Sequence, residues 1–416
     1  MKRSKRILFI SQTALGTSTT NRYMSLLSVV AENEDFNVTL FFLGKGKEAS
    51  DKSIGYPKKI GRIRIVHSPA IPAMLLKKQS AIFSALTALW LLITGLPALV
   101  RQMTIHDLVN LGKPLPFGGF MVMAARFFVR RPLVLDLDDW EGVGGFATVK
   151  QKNNAFAKAI ITYFEEWLPA KCAAVVVVSR LLEKRITLCG IPSDRIHIIP
   201  NGADILKYSP GCEGLEIKEK CGFKQTDIVL AYLGTFKPGG ASWQLILDVF
   251  AVTYKRHADA RLMMIGWGVD IDGAKTYAKK QNLSNAICFT GKVNHDQIPQ
   301  YLAAADVYIL PYSIDFPDTY INIGRSSLKL YEYMAMGRPI IASDIGEISV
   351  ALSDGCGELV PINDPEYFGG KIADLLDNPS KMAEFGRNAR ARAEDTYNYT
   401  VLGKRLVDVY NSILFR

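Results

Sequence analysis

The chain has 416 residues, of which 49% are hydrophobic and 22% charged, and a net charge of +10. That length exceeds one compact core and that balance excludes a disordered chain, so two folded domains are expected. Residues 1–200 hold 27 Lys+Arg against 14 Asp+Glu and the remainder 23 against 26, so the first half is the one suited to an anionic partner.

No helix-turn-helix, RNP or zinc-finger pattern accompanies the basic half, which turns the expectation from nucleic acid toward phosphoryl groups or an anionic membrane surface. The opening "MKRSKRILFISQTALG" is basic, then apolar. Its apolar run is only "ILFI", too short for the core of a signal peptide, and a first β-strand fits instead. Apolar runs without alternation follow at 37–44, 63–68, 107–112, 132–139 and 173–180. Together with 6–11 they read as strands of a parallel sheet covered on both faces, with room for helices between them. This predicts a doubly wound α/β domain over 1–190.

One segment departs from that scheme. "AIFSALTALWLLITGLPALV" (81–100) carries no charge and is flanked by Lys77, Lys78 and Arg101. Its length suffices to span a bilayer. However, Ser84, Thr87, Thr94, Gly95 and Pro97 dilute it, and a span would part neighbouring strands. A helix packed in the domain is the first expectation. A helix in the membrane interface, its lysines among the head groups, is the second.

The Pro-, Gly- and Asn-rich stretch 190–211 reads as an interdomain segment. Strand-like runs at 227–234, 260–268, 286–291, 306–312, 338–344 and 357–361 then alternate with helical segments such as 243–257, predicting a second Rossmann-like domain over 191–385. Helices at 379–394 and 399–414 close the chain, and residues 386–416 are expected to pack back toward the first domain. Two such domains would face each other across a cleft, where open α/β sheets bind ligands.

The six cysteines form no CxxC and no metal-ligand spacing, so free thiols are expected rather than a disulfide framework or a zinc site. His67, His106, His197, His257 and His295 stand singly, and no metal is expected. Mg²⁺ on aspartates 136, 138 and 139 is a minor alternative.

The stretch "SSLKLYEYMAMGRPIIAS" (326–343) carries chemistry. Ser326 or Ser327 suits an N-cap, and Gly337 before Arg338-Pro339 ends the helix. A helix N-terminus presents unpaired N–H groups and partial positive charge, suited to a diphosphate. Gly324 and Arg325 precede it. Lys329 lies in the first turn, where a cation opposes the helix dipole unless an anion sits there. Glu332, one turn on, is placed to accept from a ribose diol. A capped helix with solvated Lys and Glu is the alternative. In the first half, "LDLDDWEGVGG" (135–145) sets three aspartates at the carboxyl end of a buried strand, unfavourable without a partner. An acceptor- or sugar-contacting role is expected, against a single aspartate capping the next turn.

In order, "PNGAD" (200–204), "YLGTFKPGG" (232–240), "FTGKVNHDQIPQYLAAADVYILPY" (289–312) and "LKLYEYMAMGRPIIASD" (328–344) resemble the retaining GT-B glycosyltransferases of family 4, specifically over 190–365 and more loosely before. The resemblance implies a GT-B fold and no metal. It implies that Lys237 is the cation of the phosphate loop, with Thr235 and Gly240 where many relatives carry Arg and Lys. Backbone groups of Lys292 and Val293 would contact the nucleobase. Arg325, Ser326, Ser327, Leu328 and Lys329 would hold the diphosphate, and Glu332 the ribose hydroxyls. The first glutamate of the Glu-x7-Glu signature is replaced by Gly324, as in relatives with an "SxLKLxEYMA" form. Gly16, in "TALGTSTTNR" (13–22), would border the sugar-phosphate and acceptor. Asp138-Asp139 replaces the usual His-Asp.

The implied function is transfer of a hexose, with retention, from a nucleoside-diphosphate sugar to an acceptor hydroxyl. Asp138, Asp139, Lys237 and Lys329 would be the catalytic group, and Asp136, Asp138 and Trp140 would contact the acceptor. The basic first half and residues 77–101 suggest a membrane lipid or lipid-linked glycan as acceptor. A cytoplasmic enzyme, peripheral on the inner membrane face, follows as an expectation. A catalytically silent sugar-nucleotide-binding subunit is the rival. A nicotinamide-dependent enzyme ranks lower, since no G-x-G-x-x-G follows the first strand.

Overall fold

The computed structural model describes residues 3–43, 57–69, 81–145, 154–236, 243–312 and 326–415, apart from the side chains of 81–85 and 88. Two compact units emerge: Met1–Pro200 with Tyr399–Arg416, and Asn201–Asn398.

In the first unit the order is β1 (Lys5–Ser11), α1 (Ser18–Glu32), β2 (Phe36–Phe42), β3 (Lys59–Ile60), β4 (Ile63–His67), α2 (Ala81–Ile105), β5 (Leu108–Gly112), α3 (Pro116–Phe128), β6 (Leu133–Leu137), α4 (Ala155–Trp167), β7 (Ala174–Val177), α5 (Arg180–Leu188) and β8 (Ile196–Ile198). The sheet runs β3-β4-β2-β1-β5-β6-β7-β8. All pairings are parallel except β3 with β4. Strands β5, β6 and β7 are buried at every position, as a sheet covered on both faces requires. Thr17 caps α1 by accepting from Thr20 N, and Ser179 caps α5 by accepting from Leu182 N.

In the second unit the order is α6 (Leu215–Lys220), β9 (Ile228–Leu233), α7 (Trp243–Arg256), β10 (Ala260–Ile265), α8 (Ile271–Lys280), β11 (Ile287–Gly291), α9 (Ile298–Ala303), β12 (Val307–Leu310), α10 (Leu328–Met336), β13 (Ile340–Ser343), α11 (Gly346–Ala351), β14 (Glu358–Val360), α12 (Pro365–Leu376) and α13 (Pro379–Asp395). Its sheet, β11-β10-β9-β12-β13-β14, is parallel throughout. The last helix, α14 (Tyr399–Leu414), returns to the first unit and packs on α1. Leu402, Leu406 and Tyr410 join Tyr23, Leu27 and Val30 in its core. At the crossing, a Cβ on Gly403 would lie 2.5 Å from Val29 Cβ, so only glycine lets the two helices approach so closely.

These boundaries differ from those read in the sequence. The first unit runs to Pro200 rather than 190, because β8 pairs with β7 inside the stretch taken as a linker. Residues 386–416 divide: α13 stays with the second unit, and only the chain from Tyr399 returns to the first. The apolar segment 81–100 lies within α2, whose buried Leu91, Leu99 and Met103 recur at helical spacing. Among the described residues, no helix is long and apolar enough to cross a membrane.

Candidate functional site

In the second unit the candidate residues gather at the start of α10, beyond the carboxyl ends of the parallel strands. Ser327 is the N-cap, yet its side chain makes no capping hydrogen bond to the first turn; its hydroxyl accepts from Tyr312 Oη at 3.4 Å. Ser326 anchors the segment: Asn201 N donates to its Oγ at 3.2 Å and Asn201 Nδ2 to its carbonyl at 2.6 Å. A further hydrogen bond joins its Oγ to Tyr331 Oη at 2.9 Å. The "PNGAD" motif thus holds the helix entrance. Gly337, at φ +67°, ends the helix in the left-handed conformation.

Lys329 donates to Tyr232 Oη at 3.3 Å, and its ammonium stands 4.7 Å from the centre of that ring. Burial raises the Glu332 carboxyl above the usual glutamate range, against a hydrogen bond from Tyr208 and the charges of Lys329 and Lys207. Leu328 is half-buried beside them. Lys292 is exposed, 6.0 Å from the centre of the Trp267 ring, and Val293 is half-buried after Gly291. Lys237 and Arg325 lie outside the described residues, as does Gly324.

Exposed Trp267, between Gly266 and Gly268, was not foreseen from the sequence. A Cβ on Gly266 would sit 1.9 Å from the Gly234 carbonyl oxygen, and one on Gly268 1.9 Å from that of Phe236. These two glycines let the loops after β9 and β10 lie backbone against backbone. Their spacing at 266 and 268, one residue past a strand, was the available signal.

In the first unit a second cluster sits beyond β1, β5 and β6. Gly16 is exposed, with φ +79°, in the turn before α1. Gln12 ties the strand ends together: Nε2 donates to the Lys113 carbonyl at 2.9 Å, while Oε1 accepts from Gly118 N at 2.8 Å. Asp138 receives Thr19 Oγ1 at 2.8 Å and pairs with Lys113 Nζ at 3.0 Å. The same ammonium reaches Glu141 Oε1 at 2.6 Å. Burial alone would lower Lys113; the carboxylates of Asp138, Glu141 and Asp139 outweigh it and hold the ammonium above the usual lysine range. Lys113, the residue in this cluster that the sequence reading missed, is a lone lysine in "NLGKP" with φ +66°.

Two of the expected acceptor contacts, Asp136 and Trp140, lie buried with partners inside the first unit. Asp136 is 1% exposed, inside β6, and both its oxygens accept from Arg22 Nη1, at 2.8 and 2.9 Å. Trp140 is buried, donates to the Val143 carbonyl at 2.9 Å and lies under the Arg185 guanidinium. Both residues shape the strand end. Asp138 and Asp139, half-buried, remain beside Lys113. Glu165 lies beneath the loop, accepting from the backbone N–H groups of Glu141 and Gly142, and burial raises its carboxyl well above the usual range. Among the described residues, no group of three His, Cys, Asp or Glu is placed to hold a metal ion, and all six cysteines are free.

Comparisons with known proteins agree with this architecture. Residues 20–206 match the family "Glycosyltransferase Family 4", and residues 215–392 match "Glycosyl transferases group 1". The fold is GT-B. It is shared with a sucrose-phosphate synthase from Thermosynechococcus elongatus (TM-score 0.73, 16% identity, 99% of both chains). Anabaena HepE, solved in complex with UDP and glucose, shares it too (TM-score 0.72, 16% identity, 98% of this chain and 100% of that one). Among curated sequences, the chain is 26% identical to the phosphatidyl-myo-inositol mannosyltransferase of Mycobacterium leprae, over 56% of this chain and 57% of that protein. It is 25% identical to D-inositol 3-phosphate glycosyltransferase 2 of Catenulispora acidiphila, over 54% and 52%. The chain thus spans about half the length of the curated relatives it matches.

Proposed function

We propose that this GT-B chain, whose two halves match glycosyltransferase families, transfers a hexose with retention from a nucleoside-diphosphate sugar to an acceptor hydroxyl. The observation that carries the reading is the first turn of α10, which Ser327 does not cap with its side chain and which holds Lys329, with Glu332 one turn on. A diphosphate is the ligand such an N-terminus suits, because its N–H groups and dipole favour negative charge. Lys329 adds a full positive charge there, and with Lys237 and Arg325 would stabilise the charge that develops on the leaving diphosphate. Glu332 accepts from the ribose hydroxyls, and the turn at Lys292 and Val293 receives the base. The nucleotide found with HepE supports a nucleoside diphosphate as the ligand class. The transfer needs no metal on this reading, since the lysines and backbone amides meet the diphosphate charge.

Recognition of the acceptor falls to the first unit, where Gly16 leaves room at the turn and Asp138, Asp139 and Lys113 provide charge. A membrane lipid or lipid-linked glycan suits the basic half, and the match to a phosphatidyl-myo-inositol mannosyltransferase supports it. The enzyme would then work on the inner face of a membrane.

The test is a thermal-shift screen with UDP, GDP, ADP and NAD, repeated on Lys329→Ala and Glu332→Ala. A rise in Tm with one nucleoside diphosphate, lost in both variants, is expected and would name the base. No response to any nucleoside diphosphate would remove the donor site. Binding without turnover on any sugar nucleotide and acceptor would favour a silent subunit.

A further inference from the structure

We propose that the outer face of α2, α3 and α4 is a docking surface for an anionic lipid bilayer. Among the described residues seventeen large hydrophobic side chains are exposed, and nine of them stand on these three helices. On α2 they are Leu86, Leu89, Trp90 and Ile93; on α3, Phe120, Phe127 and Phe128; on α4, Phe156 and Tyr163. Phe127 is 87% exposed, Phe128 67% and Phe156 76%. The helices are neighbours, α2 packing on α3 and α3 on α4. Each of the first two already has an apolar inner face. Leu91, Leu99 and Met103 of α2 are buried, as are Met121, Val122 and Ala125 of α3. The exposed set is therefore a second apolar surface, larger in kind than scattered single residues would make.

Charge selects the occupant. Residues 81–105 and 116–132 contain Arg101, Arg126, Arg130 and Arg131, and no Asp or Glu. Arg130 and Arg101 are exposed. Arg131 donates to the carbonyls of Met103 and Thr104 at the end of α2, so its charge is fixed on this layer. On α4, Lys158 stands with Glu165, which is buried, and Glu166, which pairs with Arg185 at 3.0 Å. Aromatic and aliphatic side chains accompanied by this excess of arginine match the boundary of a bilayer bearing anionic head groups. A second copy of the chain fits less well. A two-fold contact sets the same patch against itself, so the arginines of α2 and α3 would meet one another, and the one partly exposed acid of the three helices, Glu166, is already paired with Arg185.

This deepens the membrane part of the proposed function and rests on it, but it uses no nucleotide, so it can fail while the donor site stands, or stand while the donor site fails. The experiment is flotation of the full chain with phosphatidylcholine vesicles, with and without phosphatidylglycerol. Binding to the anionic vesicles that weakens with salt is expected. Phe127→Glu with Phe128→Glu should lower the partition coefficient about tenfold or more, and Arg130→Glu should lower it roughly tenfold. Leu215→Glu, on the second unit, should leave it unchanged. All these positions are exposed, so an unaltered Tm shows that each variant folds. No binding to either vesicle overturns the proposal, as does binding that the phenylalanine pair does not diminish. A dimer that those two substitutions dissolve would assign the face to a second copy and overturn it equally.

Discussion

Arg22 and Asp136 meet from residues 114 apart, both 1% exposed, on α1 and β6. Burial works against both charges; each lowers that cost for the other, and Arg22 Nη2 also donates to the Ile199 carbonyl at 2.9 Å. Removing one partner strands the other in a low dielectric. Asp136→Asn is expected to lose about 3–5 kcal/mol of unfolding free energy, measured by urea denaturation, with Arg22→Met similar. The double change to Met and Leu should recover most of that loss, since an apolar pair leaves no charge stranded. Glu165 gives the pH-dependent counterpart. Burial raises its folded value well above the usual 4.5, so the group favours the fold while protonated. Its contribution is fully present below the unfolded value and is lost as pH rises through the folded one. The wild type should therefore lose stability relative to Glu165→Gln as pH climbs above about 4.5, read from unfolding curves across that range. A parallel pair of curves would show that Glu165 is ionised in the fold.

At the scale of elements, the loops after β9 and β10 depend on backbone approach. Gly266 has φ +132°, where L side chains rarely go, and a Cβ there would overlap the Gly234 carbonyl. Neither atom belongs to a flexible side chain. Gly266→Ala should destabilise the second unit by about 2–3 kcal/mol through backbone strain and overpacking. It should also weaken any nucleotide-dependent rise in Tm, because Trp267 is carried by the same loop. Long elements were readable because parallel strands are continuous apolar runs and their helices show a 3.6 period. The helices expected at 379–394 and 399–414 are observed at Pro379–Asp395 and Tyr399–Leu414. Short elements were not readable: β3 is a two-residue antiparallel pairing, and β8, "IHI", lies in a stretch whose Pro, Gly and Asn content reads as linker.

At the scale of the molecule, the last helix belongs to the first unit although the second unit precedes it in the chain. Leu402, Leu406 and Tyr410 are fully buried there, and Tyr410 Oη donates to Asn110 Oδ1 at 2.8 Å. Deleting residues 399–416 should expose the α1 face of that core, where each large apolar side chain uncovered costs about 1.5–3 kcal/mol. Calorimetry should then show a transition lowered for the first unit while the nucleotide response of the second is kept. Loss of both together would mean that the two units fold as one cooperative block.

The sequence by itself determined the fold class and the helix start at Ser326–Glu332 that is proposed to bind the donor, because strand composition, helix period and cap residues act over a few neighbouring positions. Tertiary structure decided what the buried charges do. Asp136, read with its neighbours as a ligand contact, is held by an arginine 114 residues earlier in the chain. Lys113 and Glu165, which as single residues gave no signal, neutralise or support the loop that Asp138 and Trp140 begin. A charge's role depends on which partner the fold brings within about 3 Å and on how much water is excluded around the pair, and neither is written in local sequence.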